Sequence, residues 1–144
     1  MKSRTRARSI ALQVLYEYVL TGHSPYTSLQ QRIEDEELDD SLKEFSQTII
    51  NGIMPIVKQL DQAISRHAPE WPLDQVATID RNIIRIALWE FGVEQCTPVK
   101  VAINEAVELA KIFGSDSTPR FVNGVLGSLA ERLPELKHSI ASKI

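Results

Sequence analysis

An all-α domain is what this chain predicts, and three observations predict it. Apolar residues recur at spacings of three and four along most of the sequence, no stretch alternates convincingly with period two, and glycine is scarce at six residues in 144. A chain of this length, 43% hydrophobic and 24% charged, can bury one core of its own. About six or seven helices are expected from the breaks in its periodicity.

The first helix is marked by Ala7, Ala11, Val14, Leu15 and Tyr18, the stripe of a core-facing amphipathic segment. Thr21-Gly22 stops it, because Gly22 suits the left-handed conformation of a helix C-cap. Leu29 and Ile33 support a short second helix, and the acidic run Glu34 to Asp40 reads as a solvated connection. Ser41-Leu42-Lys43-Glu44 then has the pattern of a capping box. It opens a helix whose inner face is Leu42, Phe45, Ile49 and Ile53. Gly52 and Pro55 interrupt a periodicity that resumes at Ile56, Leu60, Ala63 and Ile64, so a kink or break is expected there.

His67-Ala68-Pro69-Glu70-Trp71-Pro72 is a loop, since two prolines hold their predecessors extended; Trp71 should anchor it to the core. From Val76 through Ile79, Ile83, Ile86 and Ala87 to Glu90 runs a helix apolar on so wide a face that it should be central. Thr97-Pro98 opens the next one as N-cap and first helical residue. Val99, Ala102, Ile103, Ala106, Ala110 and Phe113 point inward along it, and Gly114 ends it. Ser117 or Thr118 caps a last long helix starting at Pro119, with Val122, Val125, Leu126, Leu129 and Leu133 inside. Pro134 ends that helix or starts a short final one.

Several function classes fall away on composition. The Arg-rich first 20 residues are interrupted by Gln13, Tyr16 and Glu17, which fits neither a signal peptide nor a membrane span. A soluble, cytoplasmic protein with an inert, unpaired Cys96 is expected. His23, His67 and His138 stand in no zinc-binding spacing, Glu105 and Glu108 lack an ExxH partner, and no glycine-rich phosphate loop occurs. Neither an active site nor a metal or cofactor is nominated, so function should come from binding surface.

Charge and aromatics locate that surface. The net charge is −3, yet Lys2, Arg4, Arg6 and Arg8 give the first eight residues +4 with no acid, leaving 12 basic against 19 acidic side chains, or −7, in the rest. A basic terminus on an acidic body suggests one polyanion site. Tyr16 is rotated off the apolar stripe and is a candidate for stacking. Farther on, Lys111, Phe113, Arg120 and Phe121 flank Ser115-Asp116-Ser117-Thr118 at a helix N-terminus. Cations, aromatics and helix-end amides together suit single-stranded RNA, although Phe113 and Phe121 also lie on or beside apolar stripes, so core packing competes.

The blocks ARSIALQVLYEY near the start, WPLDQVATIDRNIIRIALWE from Trp71, and PVKVAINEAVELAKIFG followed by RFVNGVL resemble the NusB family of bacterial transcription antitermination factors. The resemblance spans nearly the full chain and is weakest from Thr21 to Ser65. It implies two packed helical bundles in a single domain, residues 1–144, with a basic N-terminal arm (1–8), N-terminal helices (9–66) and C-terminal helices (67–144). It also implies a non-enzymatic role: binding boxA-type single-stranded leader RNA together with the ribosomal protein NusE, within the RNA polymerase antitermination complex.

By position in the family's pattern, Arg4, Arg6 and Arg8 would contact RNA, as would Tyr16, Ser117 and Phe121, while Asp80 would meet the ribosomal protein. Lys2, Lys111 and Arg120 complete the expected RNA-binding set. Thr5 stands where some relatives carry arginine. Two alternatives accompany this reading: a helical protein-interaction module that binds no RNA, and a NusB-like domain of a ribosomal-RNA methyltransferase.

Overall fold

A computed structural model describes the chain from Ser3 to Ala141. Its helices are α1 (Ser3–Thr21), α2 (Pro25–Glu36), α3 (Asp40–Ile53), α4 (Val57–His67), α5 (Thr78–Leu88), α6 (Val99–Phe113), α7 (Thr118–Glu131) and α8 (Leu133–Ala141). Short 3-10 turns cover Met54–Ile56 and Leu73–Gln75, and a π turn, Trp89–Val93, extends α5. Counting α3 and α4 as one helix interrupted at Met54–Ile56 gives seven, and no strand occurs among the described residues.

Two groups of helices result. In the first, α1 packs on α2 and α3, and the Ser46 hydroxyl of α3 donates to the Ala7 carbonyl at 3.0 Å. In the second, α6 and α7 pack on each other and on α5, while α4 lies against α8 and α5. Arg85 of α5 holds Asp61 of α4 through two bonds of 2.8 and 2.6 Å. By these contacts α4 lies with the C-terminal helices. α1 also packs on α5 and so joins the groups. Residues Asn82 to Glu90 are all buried, which explains why the α5 sequence is apolar on so wide a face.

Several local expectations are corrected. Asp39, not Ser41, caps α3: its carboxylate accepts from the Leu42 amide and the Ser41 hydroxyl, both at 3.0 Å, and these bonds lower its pKa. The acidic run starts as the last three residues of α2, closed by Glu37 in the left-handed region at φ 51°, and Leu38 within the run is buried. Tyr18 is 39% exposed and off the core stripe. Gly22 behaves as expected, with φ 76° and its amide donating to Tyr18. Gly52 has another purpose than breaking a helix, since a Cβ there would lie 2.4 Å from the Trp89 ring, and only glycine lets that indole close over α3. Thr97 does not cap α6, because its hydroxyl is buried on Glu90.

Candidate nucleic-acid interface

Arg4, Arg6 and Arg8 form no free arm, because α1 is helical from Ser3. Helical geometry then sorts them by face. Thr5, Arg8, Leu12 and Leu15 follow one another at spacings of three and four and all point inward. Arg4 and Arg6 take other directions. Arg4 is exposed, its guanidinium 4.5 Å from the centroid of the Phe45 ring. Arg6 is half-exposed and pairs with the Glu36 carboxylate at 2.8 Å.

Arg8 must be withdrawn from the RNA-contact set, since its side chain is only 3% exposed and that of its partner Glu90 only 1%. Arg8 donates from Nε and Nη2 to the Glu90 carboxylate at 2.9 and 2.8 Å, and its Nη1 lies 3.5 Å from Glu105. The Thr97 hydroxyl donates to Glu90 at 2.8 Å, and the Thr5 hydroxyl to Glu105 at 2.7 Å. An inward arginine with both carboxylates around it is a clamp between α1, the α5 extension and α6, and it offers nothing to phosphate. Lys2 lies outside the described residues.

Beside this clamp, Thr5 faces the second half of α6 across a hollow lined by Asn104, Glu105, Glu108, Lys111 and Ile112. Lys111 is exposed and reaches Glu108 at 3.3 Å. Tyr16 is 37% exposed but stands apart from that hollow, since 11 residues of helix carry it roughly 16 Å beyond Thr5.

The loop between α6 and α7 is organised around Thr118, which is 1% exposed. Its hydroxyl accepts from the Ser115 amide at 3.0 Å and donates to Asp80 Oδ1 at 3.0 Å. Gly114 does not adopt a left-handed conformation here: its φ is −91°. A Cβ on Gly114 would sit 2.5 Å from that of Thr118, so this glycine is required by close approach of the threonine. Ser117 precedes α7 without capping it through its side chain, and Arg120 is exposed. Phe113 and Phe121 are both partly buried against the core.

Phe121 nevertheless shares a hollow of about 410 Å³ with Gln75, Val76, Ala77, Asp80, Ser117 and Arg120. Four of the residues singled out from sequence, Asp80, Ser117, Arg120 and Phe121, thus meet in one place. Glu90, Glu105 and Thr118 hold the surrounding helices and loop in position, a role that their sequence context does not indicate. The three-residue spacing of Thr5 and Arg8, continuing the core stripe, was the available signal for the clamp. Among the described residues no three His, Cys, Asp or Glu side chains are grouped so as to hold a metal, and no helix is long and apolar enough to cross a membrane.

Comparison with known proteins matches residues 5–131 to the NusB family model. A transcription antitermination protein NusB from Roseiflexus sp. (strain RS-1) is 45% identical over 134 residues, covering 92% of this chain and 94% of that protein. Its namesake from Bacillus subtilis (strain 168) is 38% identical over 129 residues, covering 90% and 95%. Among solved structures, T. maritima NusB superposes with a TM-score of 0.82 at 32% identity, covering 94% of this chain and 96% of that one. A complex described as antitermination factors NusB and NusE with dsRNA gives 0.83 at 22% identity, covering 92% and 98%; that likeness bears on the fold.

Proposed function

The chain belongs to the NusB family, and from that premise we propose that it is a transcription antitermination factor. It binds boxA-type single-stranded leader RNA together with the ribosomal protein NusE, as part of the RNA polymerase antitermination complex, and so promotes ribosomal-RNA transcription in the cytoplasm. It performs no catalytic step.

One observation carries the RNA reading: Ser117, Arg120 and Phe121 line one hollow at the start of α7, where a hydroxyl, a cation and an aromatic edge converge. Phosphates suit the cation, and bases suit the ring. Arg4, Arg6, Lys111 and Tyr16 extend the contact surface along α6 and α1. Asp80, on the rim of the same hollow, is the contact for the ribosomal protein.

The test is a titration of boxA-like single-stranded RNA against a scrambled single strand and a duplex of the same sequence, each with and without the ribosomal protein. The boxA strand is expected to bind best, salt-dependently, and more tightly when the protein partner is present. Equal binding of the scrambled strand removes boxA recognition. No RNA binding under any condition leaves a helical protein-interaction module.

A further inference from the structure

Thr118 stands in sequence where a helix cap is expected, and the structure gives it a different task. It is buried, it begins α7, and its hydroxyl ties three things together: the Ser115 amide, the Ser115 hydroxyl at 3.1 Å, and the Asp80 carboxylate. Asp80 lies 38 residues earlier, in the first turn of α5, so this bond fastens the α6–α7 loop to a separate helix that is buried from Asn82 onward. Gly114 is shaped to the same contact, since any side chain there would collide with Thr118. Ser117 immediately precedes the pin, and Arg120 and Phe121 follow within one helical turn.

We propose that Thr118, anchored on Asp80, is a positioning residue for RNA: it sets the loop so that Ser117, Arg120 and Phe121 face the nucleic acid in one geometry. The inference rests on the RNA-binding reading above and adds a consequence to it. Asp80 then contributes to RNA affinity when no protein partner is present, by holding the threonine. Its carboxylate serves two purposes, and a loss of function at Asp80 does not by itself report partner contact. Binding groups tolerate displacements of roughly half an ångström, so releasing a loop from its tether is felt at residues that the tether never touches.

The experiment titrates the protein alone with boxA-like single-stranded RNA at one fixed salt concentration and records thermal melting of each variant. Thr118→Val keeps the branched shape and removes the hydroxyl; roughly tenfold weaker RNA binding is expected, the worth of one net hydrogen bond. Thr118→Ser keeps the hydroxyl and is expected to bind within about twofold of the parent, even where its melting point falls through the lost methyl. Asp80→Asn retains an oxygen that accepts from Thr118 and should bind RNA like the parent, whereas Asp80→Ala should behave like Thr118→Val.

Parent-like binding by Thr118→Val overturns the proposal, as does loss of affinity in the Val and Ser variants alike in step with their melting points. A parent that binds no RNA overturns the functional reading itself, and the positioning role with it. Hydrogen exchange at the Ser115 amide separates the two failures: slow in the parent and in Thr118→Ser but fast in Thr118→Val, it shows that the pin exists whatever the loop serves.

Discussion

Truncating Arg8 separates an arginine that holds the fold from the arginines proposed to hold RNA. Its side chain and that of Glu90 are 3% and 1% exposed, and its guanidinium makes the bidentate contact at 2.8 and 2.9 Å. Arg8→Ala leaves the Glu90 carboxylate buried with, among the described residues, the Thr97 hydroxyl still donating to its side chain. Removing one partner of a buried pair costs about 3 to 5 kcal/mol, because the remaining charge is uncompensated. For a chain of 144 residues, each kcal/mol lowers the melting point by roughly 3 °C, so a fall on the order of 10 °C is expected.

The paired replacement Arg8→Met with Glu90→Leu removes both charges and keeps the volume, and such exchanges are often neutral or stabilising. It should melt well above Arg8→Ala. Arg4→Ala, at an exposed site, should change stability by less than about 1 kcal/mol. Melting followed by circular dichroism, at neutral pH and fixed salt, decides the matter. If Arg8→Ala melts within about 2 °C of the parent, the clamp carries none of the energy assigned to it.

Three further outcomes follow from the same geometry. Replacing Arg4 and Arg6 together by alanine should reduce the slope of log affinity against log salt by about 1.4 on single-stranded RNA, two phosphates at 0.7 each, with helix content unchanged; an unchanged slope removes both from the contact surface. Tyr16→Ala should lose roughly tenfold or more in RNA affinity with its melting point intact, whereas Phe121→Ala, half in the core, should lose both affinity and stability; RNA titration beside thermal unfolding reads the difference. Burial, and then the neighbouring Arg66, hold the His67 pKa below its ordinary 6.5, so the folded chain binds fewer protons there than the unfolded one. That contribution is present above pH 6.5 and lost as pH falls below it. The melting point should therefore drop less between pH 7 and pH 5 in His67→Gln than in the parent.

The helical class was legible because burial in an all-α domain imposes the 3.6-residue period on every element, and α5, α6 and α7 show it plainly. What the period could not carry was polar burial. Arg8 belongs to the inner face by spacing, yet an arginine near a terminus reads as solvated until Glu90 and Glu105 are seen around it, and those carboxylates come from elements 82 and 97 residues away. The glycines were legible only in part: Gly114 ends α6 as expected and the helix breaks just after Gly52, but that both must be glycine comes from Trp89 and Thr118 packing against them, which no local rule for turns or caps reveals. Of the candidate site, the loop residues were visible as an unusual mixture of types at a helix start. Their meeting with Asp80 was not, because it depends on α5 lying beside α7.

The distribution of charge gains a sharper meaning once the clamp is known. Sequence assigns +4 to the first eight residues, but Arg8 is spent on Glu90, and Arg6 is shared with Glu36. An exposed pair such as Arg6 with Glu36 is worth little and can be exchanged for a phosphate, whereas the buried pair cannot. Recruitable cations are therefore those on exposed faces, with Arg4 and Arg6 on α1, Lys111 near the end of α6, and Arg120 at the start of α7. They sit on a chain whose net charge is negative, so a polyanion is repelled by much of the remaining surface. Under the proposed RNA reading each of these cations adds a contact, and the acidic body makes contacts elsewhere unfavourable. On that reading RNA binding draws on a few exposed cations, and does not require the strongly basic patch that the first eight residues suggest.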